Sequence, residues 1–501
     1  LSKTSDSSGI GENNTTSARV GENLSEMGFP SSVCLVVQNL LECGEANRPD
    51  NAYDSLDAVI KDLHLLLLDP NRFLFNHEDV GAENDGRTQQ KQLMFRRDTL
   101  YGRENEVSLI TDAFCRVSSG KSEAFFIGGF SGSGKSRLVN SLTDRIDAAG
   151  GYILTHKFDQ KSERPLLEVI SVFNELCLLI KEQSSPQDLI NLMDAFGTDF
   201  SVLARLLPNM QVLAPQLKQN DDKGKESGHQ MNLQSVCFTL QRFMRVVSSA
   251  SHPVMLFLDD LQWCDNSALA LVEGILCDVV GSSYLFFVGS YRSNEVQADH
   301  PIFPFMDRLN ASGVPTTRLS LEGLNPADLN SLISDALCLF PRICEPLSAI
   351  VFQKTKGNPF FVLEFLRSLV DKSLLEYNAG KRSWVWDEDS VSSMDVAGNV
   401  LHLLYSKMSG LSENMQLALK VAACFGIKID GSVVSYLITT SEYSNIRDGL
   451  EEAVREGFMM KLGSSDFRFS HDKVREAAYS LIPDGEKNRV SYTETCDCLK
   501  F

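Results

Sequence analysis

The segment Gly129-Phe130-Ser131-Gly132-Ser133-Gly134-Lys135-Ser136 constrains this chain more than any other. It fits G-x-x-x-x-G-K-[ST]. An apolar strand pattern, AFFIGGF at 124–130, runs into it, and a helical pattern at 135–148 follows it. Glycines let backbone N–H groups turn inward and approach an anion closely. The helix behind them presents its N-terminus to the same anion. Lys135 is placed to reach the β- and γ-phosphates of a nucleotide, and Ser136 offers a hydroxyl to Mg2+. The expected phosphate-binding residues are Gly129, Ser131, Gly132, Ser133, Gly134, Lys135, Ser136 and Arg137.

A second segment supplies the acids. VMLFLDD at 254–260 is an apolar strand that delivers carboxylates to the C-terminal edge of a sheet, where open α/β sheets bind ligands. Asp259 would hold the Mg2+ shell, and Asp260 would orient or deprotonate an attacking water. Two acids ending a buried strand are common by themselves; beside an intact phosphate loop they read as its second half. Further strands are expected at 152–158, 284–292 and 316–321, alternating with helices at 165–181, 232–249 and 266–280. That alternation implies an α/β fold with a parallel sheet covered on both faces. A strand between the loop strand and the acidic strand points to the additional-strand branch of P-loop ATPases, not to the branch of nucleoside kinases and GTPases. Arg292, following the apolar stretch 284–290 of its strand, would sit near the γ-phosphate; a surface arginine is the other reading.

Composition narrows the class. Of 501 residues, 43% are hydrophobic and 23% charged, ordinary globular values. The net charge of −19 argues against a protein whose main work is neutralising nucleic-acid phosphates. Twelve cysteines are scattered with no C-x-x-C pair and no Cys/His zinc spacing. Cys177, Cys277 and Cys338 lie inside apolar runs, where a thiol acts as a small hydrophobe, so a reducing, cytoplasmic compartment is expected. No apolar run approaches the ~18 residues of a membrane span. The chain starts at Leu1 without a signal-peptide pattern, and it is expected to be part of something longer.

The expected organisation is disorder over 1–30, a helical connector and polar linker over 31–98, an ATPase core over 99–321 and a helical lid over 322–397. A winged-helix-like domain is expected over 398–485, with a hairpin at 457–462 and 467–471, and then a tail over 486–501.

From Tyr101 onward six blocks occur in order: YGRE (101–104), the phosphate loop, FLDDLQWCD (257–265), GSYRSNEV (289–296), KGNPFF (356–361) and FSHDKVREAAYSLIP (469–483). Together they resemble the AAA ATPase module called origin-recognition-complex-like, close to the STAND signalling ATPases. Such modules occur in large proteins, after a protein-kinase-like domain and before helical repeats and a histidine kinase or nucleotide cyclase. The resemblance implies ATP or ADP with Mg2+ as ligands and flanking signalling domains as partners, and it leaves a homo-oligomer open. It implies that Gly102 and Arg103 lie on the adenine/ribose side, and that Pro359 of a G-x-P element packs on the adenine. It also implies that His471 touches the β-phosphate of ADP and latches a closed state. A loop proline before a helix remains the other reading of Pro359, and a helix cap the other reading of His471. Asp260 stands where fast AAA ATPases carry glutamate, so slow turnover is expected.

The leading functional reading is an ATP-dependent conformational switch in a signalling protein. A DNA-binding initiator-type ATPase is the alternative, but residues 400–485 hold nine Lys+Arg against eleven Asp+Glu, a net of −2, where a DNA reader should be basic. A small-molecule kinase would need an acceptor pocket and usually lacks the lid and winged helix. A scaffold with a dead site has no support, since Lys135, Ser136, Asp259 and Asp260 are all present.

Overall fold

The computed structural model describes residues 20, 23–24, 27–42, 53–70, 93–96, 99–160, 164–213, 232–278, 284–378, 383–394, 400–439, 443–463 and 465–483. Most of the expected disordered segment 1–30 lies outside them, as do much of the expected polar linker before 99 and the whole of the tail 486–501. The chain divides into two compact units. One comprises 102–323, 358–360 and 397–501; the other comprises 1–101, 324–357 and 361–396.

The first unit is built on five parallel strands: β1 (Glu123–Gly129), β2 (Tyr152–Lys157), β3 (Val254–Asp259), β4 (Leu285–Arg292) and β5 (Thr316–Leu321). Their order across the sheet is β2-β3-β4-β1-β5. In the chain β2 lies between the loop strand β1 and the acidic strand β3; across the sheet it is β4 that separates them. All seven residues of β1 are buried. Successive side chains serve opposite faces, as strand geometry demands. Phe126 joins Phe287 and Phe305 in a set of edge-on aromatic contacts, with centroids 5.6–6.2 Å apart. Phe125 and Ile127 face the other way, onto Ile110 and Phe114 of the helix Glu104–Val117. Burying each such large apolar side chain contributes about 1.5–3 kcal/mol. The one charge inside β1, Glu123, is matched by a two-pronged pair with Arg116, at 2.9 and 2.5 Å.

Strand register carries the site. Gly129 at the end of β1 pairs with Arg292 of β4 on one side and Leu321 of β5 on the other. Lys157 at the end of β2 pairs with Asp259 at the end of β3. One sheet edge therefore gathers the loop, both acids, Arg292 and Lys157.

Two details differ from the sequence reading. The helix expected at 135–148 is broken into Lys135–Asn140 and Thr143–Ala148, because Ser141 and Leu142 bond three residues back, to Leu138 and Val139. The stretch before 214 carries three helices that periodicity does not single out: Pro186–Phe196, Phe200–Leu206 and Met210–Leu213.

In the second unit the helices Ser31–Glu42 and Leu56–Leu68 lie in the segment expected to be a helical connector. Asp62 is buried between Tyr53, whose hydroxyl donates to it at 2.9 Å, and Arg342, at 3.6 Å. Arg342 also lies over the Tyr53 ring, 4.3 Å from its centroid. This unit holds the helices Pro326–Leu337 and Pro341–Thr355, each opened by a proline whose missing N–H costs nothing there. It also holds a short antiparallel pair, β6 (Leu375–Asn378) and β7 (Ser383–Trp386), in a region expected to be mainly helical.

The C-terminal part of the first unit contains the helices Glu413–Phe425, Gly431–Ile438 and Ile446–Arg455. A three-stranded antiparallel sheet accompanies them, from β8 (Lys428–Ile429), β9 (Met459–Leu462) and β10 (Asp466–Phe469), in the order β8-β10-β9. β9 and β10 are the expected hairpin; β8 is too short to show in the sequence. The helix Asp472–Ser480 closes the described chain.

Candidate functional site

The phosphate loop turns through two left-handed glycines, Gly132 at φ +81° and Gly134 at φ +97°. A Cβ on Gly132 would lie 2.7 Å from Phe360 Cβ and 2.8 Å from Asn358 Oδ1, so only glycine fits. Asn358 Nδ2 donates to the Ser131 carbonyl at 2.9 Å, and the Phe360 N–H donates to the Gly132 carbonyl at 3.3 Å. These residues clasp the loop from outside, flanking Pro359, which opens the helix Pro359–Asp371. Ser133 Oγ is buried with no hydrogen-bond partner among the described residues. An orphaned hydroxyl inside a loop of inward-facing backbone fits an anionic ligand.

Lys135 is buried and donates to the carbonyls of Gly129 and Phe130, both at 3.0 Å. Burial pushes its pKa below the usual lysine value, while Asp259 and Asp260 pull it back up. Ser136 Oγ donates to Asp259 Oδ2 at 3.0 Å, and Ser290 Oγ donates to the other oxygen. Among the described residues no group of three or more His, Cys, Asp or Glu side chains could hold a metal ion. A hydroxyl and one carboxylate side by side still fit Mg2+, which takes few protein oxygens and completes its shell with water and phosphate. Arg137 is exposed.

Asp260 adopts a left-handed backbone, φ +60°, and its side chain is nearly inaccessible. Arg292 grips it with both prongs, at 3.0 and 3.1 Å. Gln262 donates to it at 3.0 Å, and Lys157 lies 3.0 Å away. Burial alone would raise the carboxyl pKa, but Lys157 and Arg292 outweigh it and hold Asp260 well below the usual carboxylate range. Arg292 also pairs with Glu295 at 2.8 Å and with Asp472. Burial works against its charge, and Asp260 and Asp472 more than compensate.

His471 stacks on Phe360, ring centroids 3.9 Å apart. Its Nδ1 accepts the Lys473 N–H at 3.1 Å, capping the helix Asp472–Ser480. Burial lowers its pKa to about 4, so the ring is neutral near pH 7 and the proton belongs on Nε2. The cap is therefore real, and the remaining N–H is still a donor. Arg103 is buried and committed to Glu106, at 3.0 Å, and to the Glu322 carbonyl; Gly102 precedes it at φ +58°.

The sheet edge and loop thus bring together Lys135, Ser136, Asp259, Asp260 and Arg292, and link the loop through Phe360 to His471. Sequence reasoning misses Lys157, Gln262, Asn358, Phe360 and the Asp472 carboxylate as site members. Lys157 is within reach of the rule that singles out Asp259, since it also ends a strand at the C-terminal edge.

A parallel sheet with a glycine loop after one strand and an acid after another defines a P-loop nucleotide-binding fold. Residues 99–288 match the family described as AAA ATPase domain, and this segment of the chain is such a domain. Over 493 residues the chain is 23% identical to Hybrid signal transduction histidine kinase G of Dictyostelium discoideum, covering 82% of this chain and 14% of that protein. It is 20% identical over 559 residues to Peroxide stress-activated histidine kinase mak3 of Schizosaccharomyces pombe, covering 93% of this chain and 23% of that protein. The chain therefore spans less than a quarter of either relative. Among solved structures it is similar to Cdc6p from Pyrobaculum aerophilum, at 12% identity and a TM-score of 0.36, covering 76% of this chain and 94% of that one. Among the described residues no helix is long and apolar enough to cross a membrane.

Proposed function

We propose that this chain is an ATP-binding regulatory switch of the STAND type, slow in hydrolysis, working in the cytoplasm within a larger signal-transduction protein. The observation that carries this reading is the placement of Asp472. It belongs to a helix of the C-terminal part, yet it pairs with Arg292 and Lys157, the cations facing the candidate γ-phosphate position. Whatever occupies the nucleotide site must therefore compete or cooperate with that helix. Only differential affinity for two states moves such an equilibrium.

In this reading residues 99–321 are the ATPase core, 322–397 the lid and 398–485 a winged-helix-like element. The loop amides, Lys135 and Ser133 hold the phosphates. Ser136 and Asp259 would hold Mg2+, which would supply neutralisation of phosphate charge. Asp260 orients or deprotonates water. Its engagement by Arg292, Lys157 and Gln262 supports slow turnover, because a carboxylate so held is a weak base. His471 Nε2 donates to a β-phosphate oxygen in the closed, ADP-bound state. The histidine-kinase relatives support flanking signalling domains as the output.

The test is titration of the purified chain with ATP and Mg2+. Lys135→Ala should weaken binding by at least about ten-fold, the loss expected for a charge-assisted hydrogen bond. Unchanged binding would remove the site assignment. His471→Ala should shift the co-purifying nucleotide from ADP toward ATP.

A further inference from the structure

Lys157 and Arg292 share the same two carboxylates. Lys157 Nζ lies 3.0 Å from Asp260 and 2.8 Å from Asp472. Arg292 binds Asp260 through two prongs and Asp472 through Nη2. Two cations and two anions thus alternate around a closed ring. Asp260 is fixed to the sheet edge, one residue past β3. Asp472 comes from a separate helix and is the replaceable member. Whatever replaces it must offer oxygens and negative charge to both cations at once.

Lys157 also lies 3.9 Å from Asp259 Oδ2, the oxygen that accepts the Ser136 hydroxyl. It therefore borders the candidate Mg2+ position. Burial opposes the charge on Lys157, but Asp259, Asp472 and Asp260 overcome it and keep the group an ammonium. Sheet register explains the position: Lys157 is opposite Asp259 on the neighbouring strand. In the reading above the loop amides and Lys135 already serve the β-phosphate, which leaves Lys157 to a third phosphate.

We propose that Lys157 is a γ-phosphate-reading residue: with Arg292 it exchanges the Asp472 carboxylate for the terminal phosphate of a nucleoside triphosphate, and so makes the site discriminate ATP from ADP. This rests on the nucleotide-site reading above and extends it. The exchange is of ion pairs alone, with no bond made or broken.

The experiment measures ATP and ADP affinities, with Mg2+, for the wild-type chain, Lys157→Gln, Lys157→Arg and Lys135→Ala. Lys157→Gln should weaken ATP by about ten-fold or more and move ADP by less than about two-fold. Lys157→Arg keeps the charge and should keep most of the ATP preference. If the Gln variant does not fold, Lys157→Gln/Asp472→Asn removes both halves of the pair and should bind ATP about ten-fold or more weakly than Asp472→Asn alone, with ADP affinity equal in the two. Equal losses for ATP and ADP, or no loss, would overturn the assignment. Lys135→Ala separates the two ideas. If it binds both nucleotides normally, the site reading itself fails; if it loses both while Lys157→Gln is unselective, only the role of Lys157 fails.

Discussion

Asp472 Oδ2 lies 2.8 Å from Lys157 Nζ, joining residues 315 positions apart. One helical turn on, Arg475 reaches Asp159 at 3.6 Å, so helix and strand end exchange opposite charges twice. The first pair lies among the acids and cations of the candidate nucleotide site; the second lies outside it. The C-terminal helix is therefore fastened at the place where ligand charge would change.

Asp472→Asn should loosen that fastening. It leaves Lys157 with Asp260 and Asp259 and leaves Arg292 with Asp260 and Glu295, and truncating a partly buried charge pair costs about 1–3 kcal/mol. Chemical denaturation without nucleotide should show the loss, while ATP affinity rises because the phosphate no longer displaces a carboxylate. Wild-type stability together with wild-type ATP affinity would show that the pair does not matter.

Gly132→Ala and Gly134→Ala separate backbone strain from crowding. Both glycines have left-handed φ, but a Cβ on Gly132 would strike Phe360 at 2.7 Å, whereas one on Gly134 meets nothing within 4 Å. Each change should cost about 1 kcal/mol for conformation, with about 1–2 kcal/mol more at Gly132 for the displaced Phe360. Thermal melts of the two variants read the difference directly. Equal melting temperatures would mean that Phe360 is not packed on the loop in solution.

Much of this arrangement is legible in the amino-acid sequence. The β1 strand, its loop and the acidic strand β3 are encoded locally, by apolar runs that end in glycines or aspartates. The parallel sheet follows from their alternation with helices. The ring around Asp260 is not legible in that way. Lys157 and Asp472 meet only after β2 pairs with β3 and the C-terminal helix packs on the sheet edge. Phe360 stands beside the proline of the KGNPFF block, and only its contacts with Gly132 and His471 reveal it. The break at Ser141 escapes a reading by pattern because helical periodicity continues across it; the hydrogen-bond shift there is a local tightening that side-chain spacing does not record.

His471 should make stability depend on pH. Its pKa is about 4 in the folded chain against a usual value of 6.5, lowered first by burial and then by Lys157, Arg292 and Lys135, with Asp472 opposing. The unfolded chain binds the proton first as pH falls, so the stabilisation is fully present above pH 6.5 and is lost progressively toward pH 4. The loss is on the order of 2–3 kcal/mol. Denaturation at a series of pH values should give a flatter profile for His471→Gln over that window; parallel profiles would place the ring in water.

Asp260→Asn tests hydrolysis. If Asp260 handles the attacking water, ATPase turnover should fall by about 100-fold or more, while ATP binding changes little. Unaltered turnover would assign the water to another group.

The most direct measurement is hydrogen exchange across Asp472–Ser480 in protein loaded with ADP and with a non-hydrolysable ATP analogue. If the terminal phosphate takes Lys157 and Arg292 from Asp472, the amides of this helix should exchange faster with the analogue than with ADP, and Lys135→Ala should abolish the difference. Identical protection in the two nucleotide states of the wild-type chain would contradict the switch.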